Sequence, residues 1–325
     1  MAYNRVTGVT TLFDSNVPVY NELGVNIAEA ADSETAMRLA GLDWTVEQKP
    51  IQVCGGRKIE GFYANVRSDT GDTLGLVTER YKAVQNAEAF AFTDELLGNG
   101  VRYETAGCLR DGKRVWMLAR MESHNDYKLA GDDCIPYLLF SNNHDGKGSV
   151  RVCLTVTRVW CQNTLNLAIK NAQRTWTMRH VGDVKGKIEE ARKTLQLTER
   201  YLGMMQQQAE NMTTVTISPD FMREFSEKLF PIDEHATDRK NENAIAAQQL
   251  LQNIYKTKDD VQPYKGTAWG AYLALTDYAS HARENRKTTT SQENRFVSLF
   301  DGERDIATVG SGLLYQMAGV TDYCA

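Results

Sequence analysis

Residues 135–157 read IPYLLFSNNHDGKGSVRVCLTVT, two apolar runs joined by a turn of Asn, Asp and Gly. Glycine enters left-handed backbone without a steric penalty, and Asp-Gly between alternating apolar residues is a strong short-range hairpin signal. Ile135–Ser141 and Ser149–Thr157 are therefore predicted to form antiparallel strands around Asn142–Gly148. In the second arm, strict alternation sends Val150, Val152, Leu154 and Val156 to the core. Ser149, Arg151, Cys153, Thr155 and Thr157 are left on the opposite face.

Working outward, the same turn chemistry recurs twice. Lys58–Arg67 and Thr73–Arg80 flank Ser68-Asp69-Thr70-Gly71-Asp72, and Val101–Leu109 and Lys113–Met121 flank Arg110-Asp111-Gly112. Asp32 or Ser33 is placed to cap a short helix ended by Gly41, and Asn86 to cap another that carries Phe90, Phe92, Leu96 and Leu97. A further helix is predicted from Cys161–Asn163 to about Ala172, with Gln162, Asn166 and Lys170 along one side. After Gly182 the pattern turns helical. Val184 to Met212 keeps a seven-residue repeat, read as a long helix packed across its own sheet. Helices are also predicted at Pro219–Phe230, Asn241–Lys256, Gly266–Ala282 and Asp305–Ala318. The expected fold is α+β: an antiparallel hairpin-built sheet packed by helices, then a mainly helical C-terminal half. The divisions are residues 1–42 (arm and short helix), 43–182 (hairpin-sheet core) and 183–325 (helical region).

The 325 residues are 42% hydrophobic and 24% charged, a composition that excludes disordered and low-complexity classes. No apolar run spans a bilayer and the first residues lack a secretory pattern, so a cytoplasmic protein without membrane contact is expected. The six cysteines contain no C-x-x-C pair and read as reduced thiols. The net charge of −5 argues against bulk attraction to nucleic acid, yet charge is unevenly placed. Residues 101–200 hold 17 Lys and Arg against 11 Asp and Glu. Between Gly146 and Gly182 there is no acid at all.

That acid-free stretch carries the candidate site. Lys147, Arg151, Arg158, Lys170, Arg174 and Arg179 are predicted to neutralise phosphates, Gln162 and Asn163 to hydrogen-bond backbone or base, and Trp176 to stack. The competing reading is a solvated sheet face with both Trp160 and Trp176 in the core, and a smaller anionic ligand is the third. His144 and Asp145 could ligate a metal, but adjacent turn residues seldom point the same way, and the turn needs Asp-Gly for its backbone. Cys161 at a helix start reads as core and not as a nucleophile. No catalytic residue, metal ligand or cofactor site is assigned.

Ala40-Gly41-Leu42-Asp43-Trp44, then residues 77–86 (VTERYKAVQN), Thr105–Leu109 with Gly112–Trp116, Asn143–Gly146 and Arg158–Leu165 (RVWCQNTL) stand in order along the chain. Together they resemble the phage/plasmid-like protein family of unknown function called domain of unknown function 932. The likeness covers about residues 40–200, with a looser match at Trp269–Ala282. The resemblance implies a phage, prophage or conjugative-plasmid origin and brings no catalytic residue. Such mobile genetic elements encode proteins that handle single-stranded DNA, and their annealing proteins combine a hairpin sheet, a crossing helix and a cationic groove in rings of subunits. The element order here is similar at the level of fold analogy. The expectation is a homo-oligomeric protein of the host cell cytoplasm that binds single-stranded DNA, with strand annealing in recombination or replication as its extension, without covalent catalysis. The alternatives are an anti-defence or interaction protein that binds a host or phage replication or defence factor, and a metal-dependent nuclease.

Overall fold

The computed structural model describes residues 2–3, 10–11, 23–54, 56–94, 101–122, 126–159, 164–165, 167, 175–178, 180, 188–282, 293–294, 296–297 and 306–320. Two short strands, β1 (Ala2–Tyr3) and β2 (Thr10–Thr11), pair with each other, and β3 (Val25–Asn26) follows. Helix α1 (Ser33–Leu39) starts at Asp32, whose carboxylate accepts from the Thr35 amide at 2.7 Å, with Glu34 in its first turn and Arg38 in its last. Strands β4 (Val46–Gln52), β5 (Lys58–Arg67) and β6 (Thr73–Thr78) make a three-stranded antiparallel sheet. Helix α2 (Asn86–Asp94) comes next. It is closed at its start by Glu88, which accepts from the Gln85 amide at 3.0 Å. Asn86, predicted as the cap, instead sends its amide inward to Leu42 and Trp44 carbonyls.

The central sheet is built from β7 (Val101–Leu109), β8 (Arg114–Met121), β9 (Lys128–Leu129), β10 (Asp132–Asn143), β11 (Val150–Arg158), β12 (Thr164–Leu165) and β13 (Thr175–Met178). Together with β3 these form an antiparallel sheet ordered β12-β11-β10-β8-β7-β3, with β13 also on β11 and β9 on β10. The predicted hairpins are present. The predicted helix near 161–172 is not realised at its described positions, because Thr164 and Leu165 pair with Thr157 and Val156 as an added strand. Ladder hydrogen bonds and burial of both residues outweigh a four-residue polar spacing that looked helical.

The helical half contains α3 (Ile188–Thr214), α4 (Phe221–Leu229), α5 (Asp238–Thr257), α6 (Ala268–Asp277) and α7 (Ile306–Ala318). The described part of the seven-residue repeat turns inward: Leu202, Met205, Ala209 and Met212 are buried. Tyr127 donates to the Leu202 carbonyl at 2.8 Å and Tyr201 to that of Leu167 at 2.8 Å, tying the helix to the sheet side. All ten residues of α6 are buried, as its largely apolar sequence requires of a central helix, and its buried Asp277 is paired with Lys258 at 3.2 Å. Among the described residues, no helix is long and apolar enough to cross a membrane.

The sheet is buried on both faces. Val115, Met117, Leu138, Phe140, Val152, Leu154 and Val156 join one large cluster with the helices, while Trp116, Leu118, Tyr137 and Leu139 pack with Ala279, Phe296 and Ala307 on the other side. This corrects the expectation of an open second face on β11. Cys153, Thr155 and Thr157 are at most 2% exposed, and of that face Ser149 and Arg151 stay half-buried. Among the residues packed on that side, Ala279, Phe296 and Ala307 lie more than a hundred residues downstream, so no local pattern announces them.

Candidate anion-binding site

The turns of two hairpins meet at one end of the central sheet because β8 pairs with β10, bringing Arg114 opposite Asn143. In the first turn Arg110, Asp111 and Gly112 all take left-handed backbone, with φ of 53°, 58° and 95°. Two consecutive non-glycine residues in that region are uncommon and cost local energy, so packing must hold them. Gly112 rests against Trp44 and Arg67, and the Arg67 guanidinium lies 4.5 Å above the Trp44 ring. The Arg110 amide donates to Glu293 at 2.8 Å and its side chain to Asn294 at 3.0 Å.

The second turn is fixed from within and from below. Asp145 accepts from the Lys147 amide at 2.9 Å, and the Asn143 side chain donates to the Ser149 carbonyl at 2.9 Å. The His144 amide donates to the Lys113 carbonyl at 2.8 Å, locking one turn to the other. Beneath lies a buried polar cluster. Asn65 donates to the His144 carbonyl at 2.8 Å, Asn142 to Val84 at 2.8 Å, and Tyr81 to Asn143 at 3.1 Å. His144 is fully buried, edge-on to Trp44, with Nε2 at 2.8 Å from Asn86 Oδ1. Because the Asn86 nitrogen already donates to two carbonyls, its oxygen is the acceptor, and His144 is the tautomer protonated at Nε2. Burial pushes the His144 ring down to about 3, and the nearby His180 adds to this. His180, stacked on Tyr81 at 4.7 Å, is also lowered by burial. His144 thus points inward as a structural group. Among the described residues no group of three or more His, Cys, Asp or Glu is placed to hold a metal ion.

Between the turns is a cleft of about 200 Å³. Arg110, Lys113, Arg114, Lys147 and Arg151 line it, with Asp145 as its carboxylate. Leu109 and Val297 supply the apolar surface, and Asn143, Gly148 and Ser149 the remaining polar groups. Opposite charges at about 4 Å near a protein surface attract with roughly 4 kcal/mol, so five cations around one small volume favour an anion strongly. The chemistry available is recognition: guanidinium forks and ammonium groups suit phosphate oxygens.

The predicted site residues do not stay together. Lys147 and Arg151 lie together in the cleft. Arg158 does not join them: it is 2% exposed and bridges Asp132 at 2.7 Å and Asp260 at 2.8 Å, so it serves the fold. Trp176, on β13, is half-buried and packs against the core, the alternative weighed for it. Gln162, Asn163, Lys170, Arg174 and Arg179 lie outside the described residues. Sequence reasoning missed Arg110, Lys113 and Arg114. Their signal was present as three cations around an Asp-Gly turn, but a turn reading accounted for them without a ligand.

Residues 73–300 match the family model described as a domain of unknown function, DUF932. No curated protein and no solved structure matches the chain.

Proposed function

The chain belongs to the DUF932 family, and from that premise we propose that it is a single-stranded DNA-binding protein acting without covalent catalysis. One observation carries the reading: five cationic side chains from two hairpins, in their turns and adjoining strands, converge on one cleft in a chain of net charge −5. A focused positive site on an otherwise acidic protein binds an extended phosphodiester locally while the bulk field repels non-specific duplex. Strand annealing, assembly as a homo-oligomer, a phage or plasmid origin and residence in the host cytoplasm extend the same proposal.

The test is a titration of labelled single- and double-stranded oligonucleotides against salt. Lys113→Ala, Lys147→Ala and Arg151→Ala are each expected to weaken single-strand binding and to flatten the slope of log K against log salt by about 0.7 to 1. Unchanged slopes in all three overturn the site.

A second reading has its own observation. On the outward face of the three-stranded sheet Phe62 is 49% and Leu76 65% exposed, with Ala64 opposite Leu76 in the ladder. An interaction protein that engages a host factor would use such a face. Phe62→Ser with Leu76→Ser would then abolish a defined protein complex and leave the salt slope on DNA intact.

A further inference from the structure

We propose that the cleft takes the terminal phosphate of a strand, a phosphomonoester, in preference to an internal phosphodiester. This rests on the single-strand reading above and deepens it.

The first argument is shape. Leu109 and Arg114 line the cleft although they are 1% and 7% exposed, so they form a floor and not a passage. The hydrogen-bonded strands β8 and β10 lie on the sheet side, Val297 lines another side, and Glu293 and Asn294 hold Arg110 at its rim. Arg110, Lys113 and Lys147 are exposed and form the rim. A strand running past an internal phosphate needs an entry and an exit, whereas a chain end needs one opening. The volume of about 200 Å³ lies below the roughly 300–1,000 Å³ usual for drug-sized ligands. It suits a phosphate and the atoms next to it, not successive nucleotides.

The second argument is charge and valence. An internal phosphodiester brings one negative charge and two non-bridging oxygens. A terminal phosphate carries about −1.5 to −2 at neutral pH and offers three acceptor oxygens. Arg110, Arg114 and Arg151 bring guanidinium groups to the cleft from three chain positions, Arg110 also donating to Asn294 and Arg114 to Ser141, and Lys113 and Lys147 add two ammonium groups. A terminal phosphate offers this set one more acceptor oxygen and more charge than an internal phosphodiester does. Gly148 also leaves backbone at the cleft wall without a side chain in the way.

The experiment compares one oligothymidylate sequence in three forms, 5′-phosphorylated, 3′-phosphorylated and without terminal phosphate, by fluorescence anisotropy with the full chain. Inorganic phosphate and thymidine monophosphate serve as competitors. One phosphorylated form is expected to bind about tenfold tighter than the unphosphorylated strand, since one added charge-assisted contact is worth at least about that factor. The advantage is expected to vanish in Lys147→Ala and Arg151→Ala and to persist in Lys256→Ala, on the exposed side of α5 far along the chain. Lys147 is exposed, so that variant keeps the test open if Arg151→Ala folds poorly. Equal affinity for all three forms, with the salt dependence retained, overturns the end-recognition proposal and leaves strand binding standing. No salt-dependent binding of any form overturns both.

Discussion

Gly75 keeps the Asn142–Gly148 turn at the cleft in register by having no side chain. A methyl group there would press on the Asp145 carbonyl oxygen, with the Asp145 C and Cα both at 2.6 Å. These are backbone atoms, which cannot swing aside as a long side chain can. Gly75→Ala is expected to cost about 1–3 kcal/mol by overpacking and to displace the turn that carries Lys147. Gly203 is the internal control, because it lies exposed within α3 and a methyl group there meets nothing within 4 Å. Gly203→Ala is expected to stabilise the protein by about 0.5–1 kcal/mol through helix propensity and a less flexible unfolded chain. Denaturant unfolding of the two variants beside the parent decides the matter, and equal shifts would show that the β6 contact with the turn is not constraining. Asn86 makes the same point about single residues. Its helix-start position suggested a cap, but a buried amide that satisfies two carbonyls and His144 is worth more here than one amide at the surface.

At the scale of the element, the β10–β11 hairpin has a cationic end and a clamped end. Arg158 closes the clamped end by joining Asp132 on its partner strand to Asp260 beyond α5, and Tyr264 adds a 2.8 Å bond to the Ala130 carbonyl. Removing one member of a buried ionic cluster strands the others in a poorly solvated place. Arg158→Ala is therefore expected to lose about 3–5 kcal/mol of stability. Loss of DNA affinity in this variant should follow loss of fold, whereas Arg151→Ala should separate the two, as melting curves recorded with the binding data will show. The hairpin was legible because Asp-Gly turns and alternation are local signals, as Ser149 to Thr157 illustrate. The fate of the second side of the sheet was not, because the cluster packed there includes Phe296 and Ala307, which arrive from far along the chain. Arg158 was misplaced for the same reason: an acid-free window says nothing of carboxylates that folding imports from outside it.

Across the whole molecule, the small sheet, the central sheet and the helices are joined through polar groups as well as through the apolar core. Asn65 and Tyr81 come from the first sheet region, Asn142 and His144 from β10 and its turn, and His180 closes the group through its carbonyl, which accepts from the Lys82 amide at 2.9 Å. This junction contains two buried imidazoles, and burial favours the neutral form of each. The His144 ring, lowered by burial to about 3, stays neutral in the fold where an unfolded histidine, near 6.5, takes up a proton. His180 shifts in the same direction. The unfolded state thus binds more protons below about pH 6.5. Stability is full well above that value; the His144 contribution falls by up to about 1.4 kcal/mol per pH unit as pH drops toward the folded value, and His180 adds to the loss in the same direction. Asp32 and Asp69, lowered chiefly by hydrogen bonds, add losses of their own only in the carboxylate range below 3.8. Glu104 and Glu293, raised by burial, act in the opposite sense just above 4.5, so the histidine slope is cleanest between about pH 6.5 and 5.5. His144→Gln keeps a donor toward Asn86 and cannot be protonated. It is expected to be less stable at pH 7 but to show a distinctly shallower decline across this window, read by chemical denaturation at stepped pH. A variant slope equal to that of the parent would show that His144 does not carry the linkage.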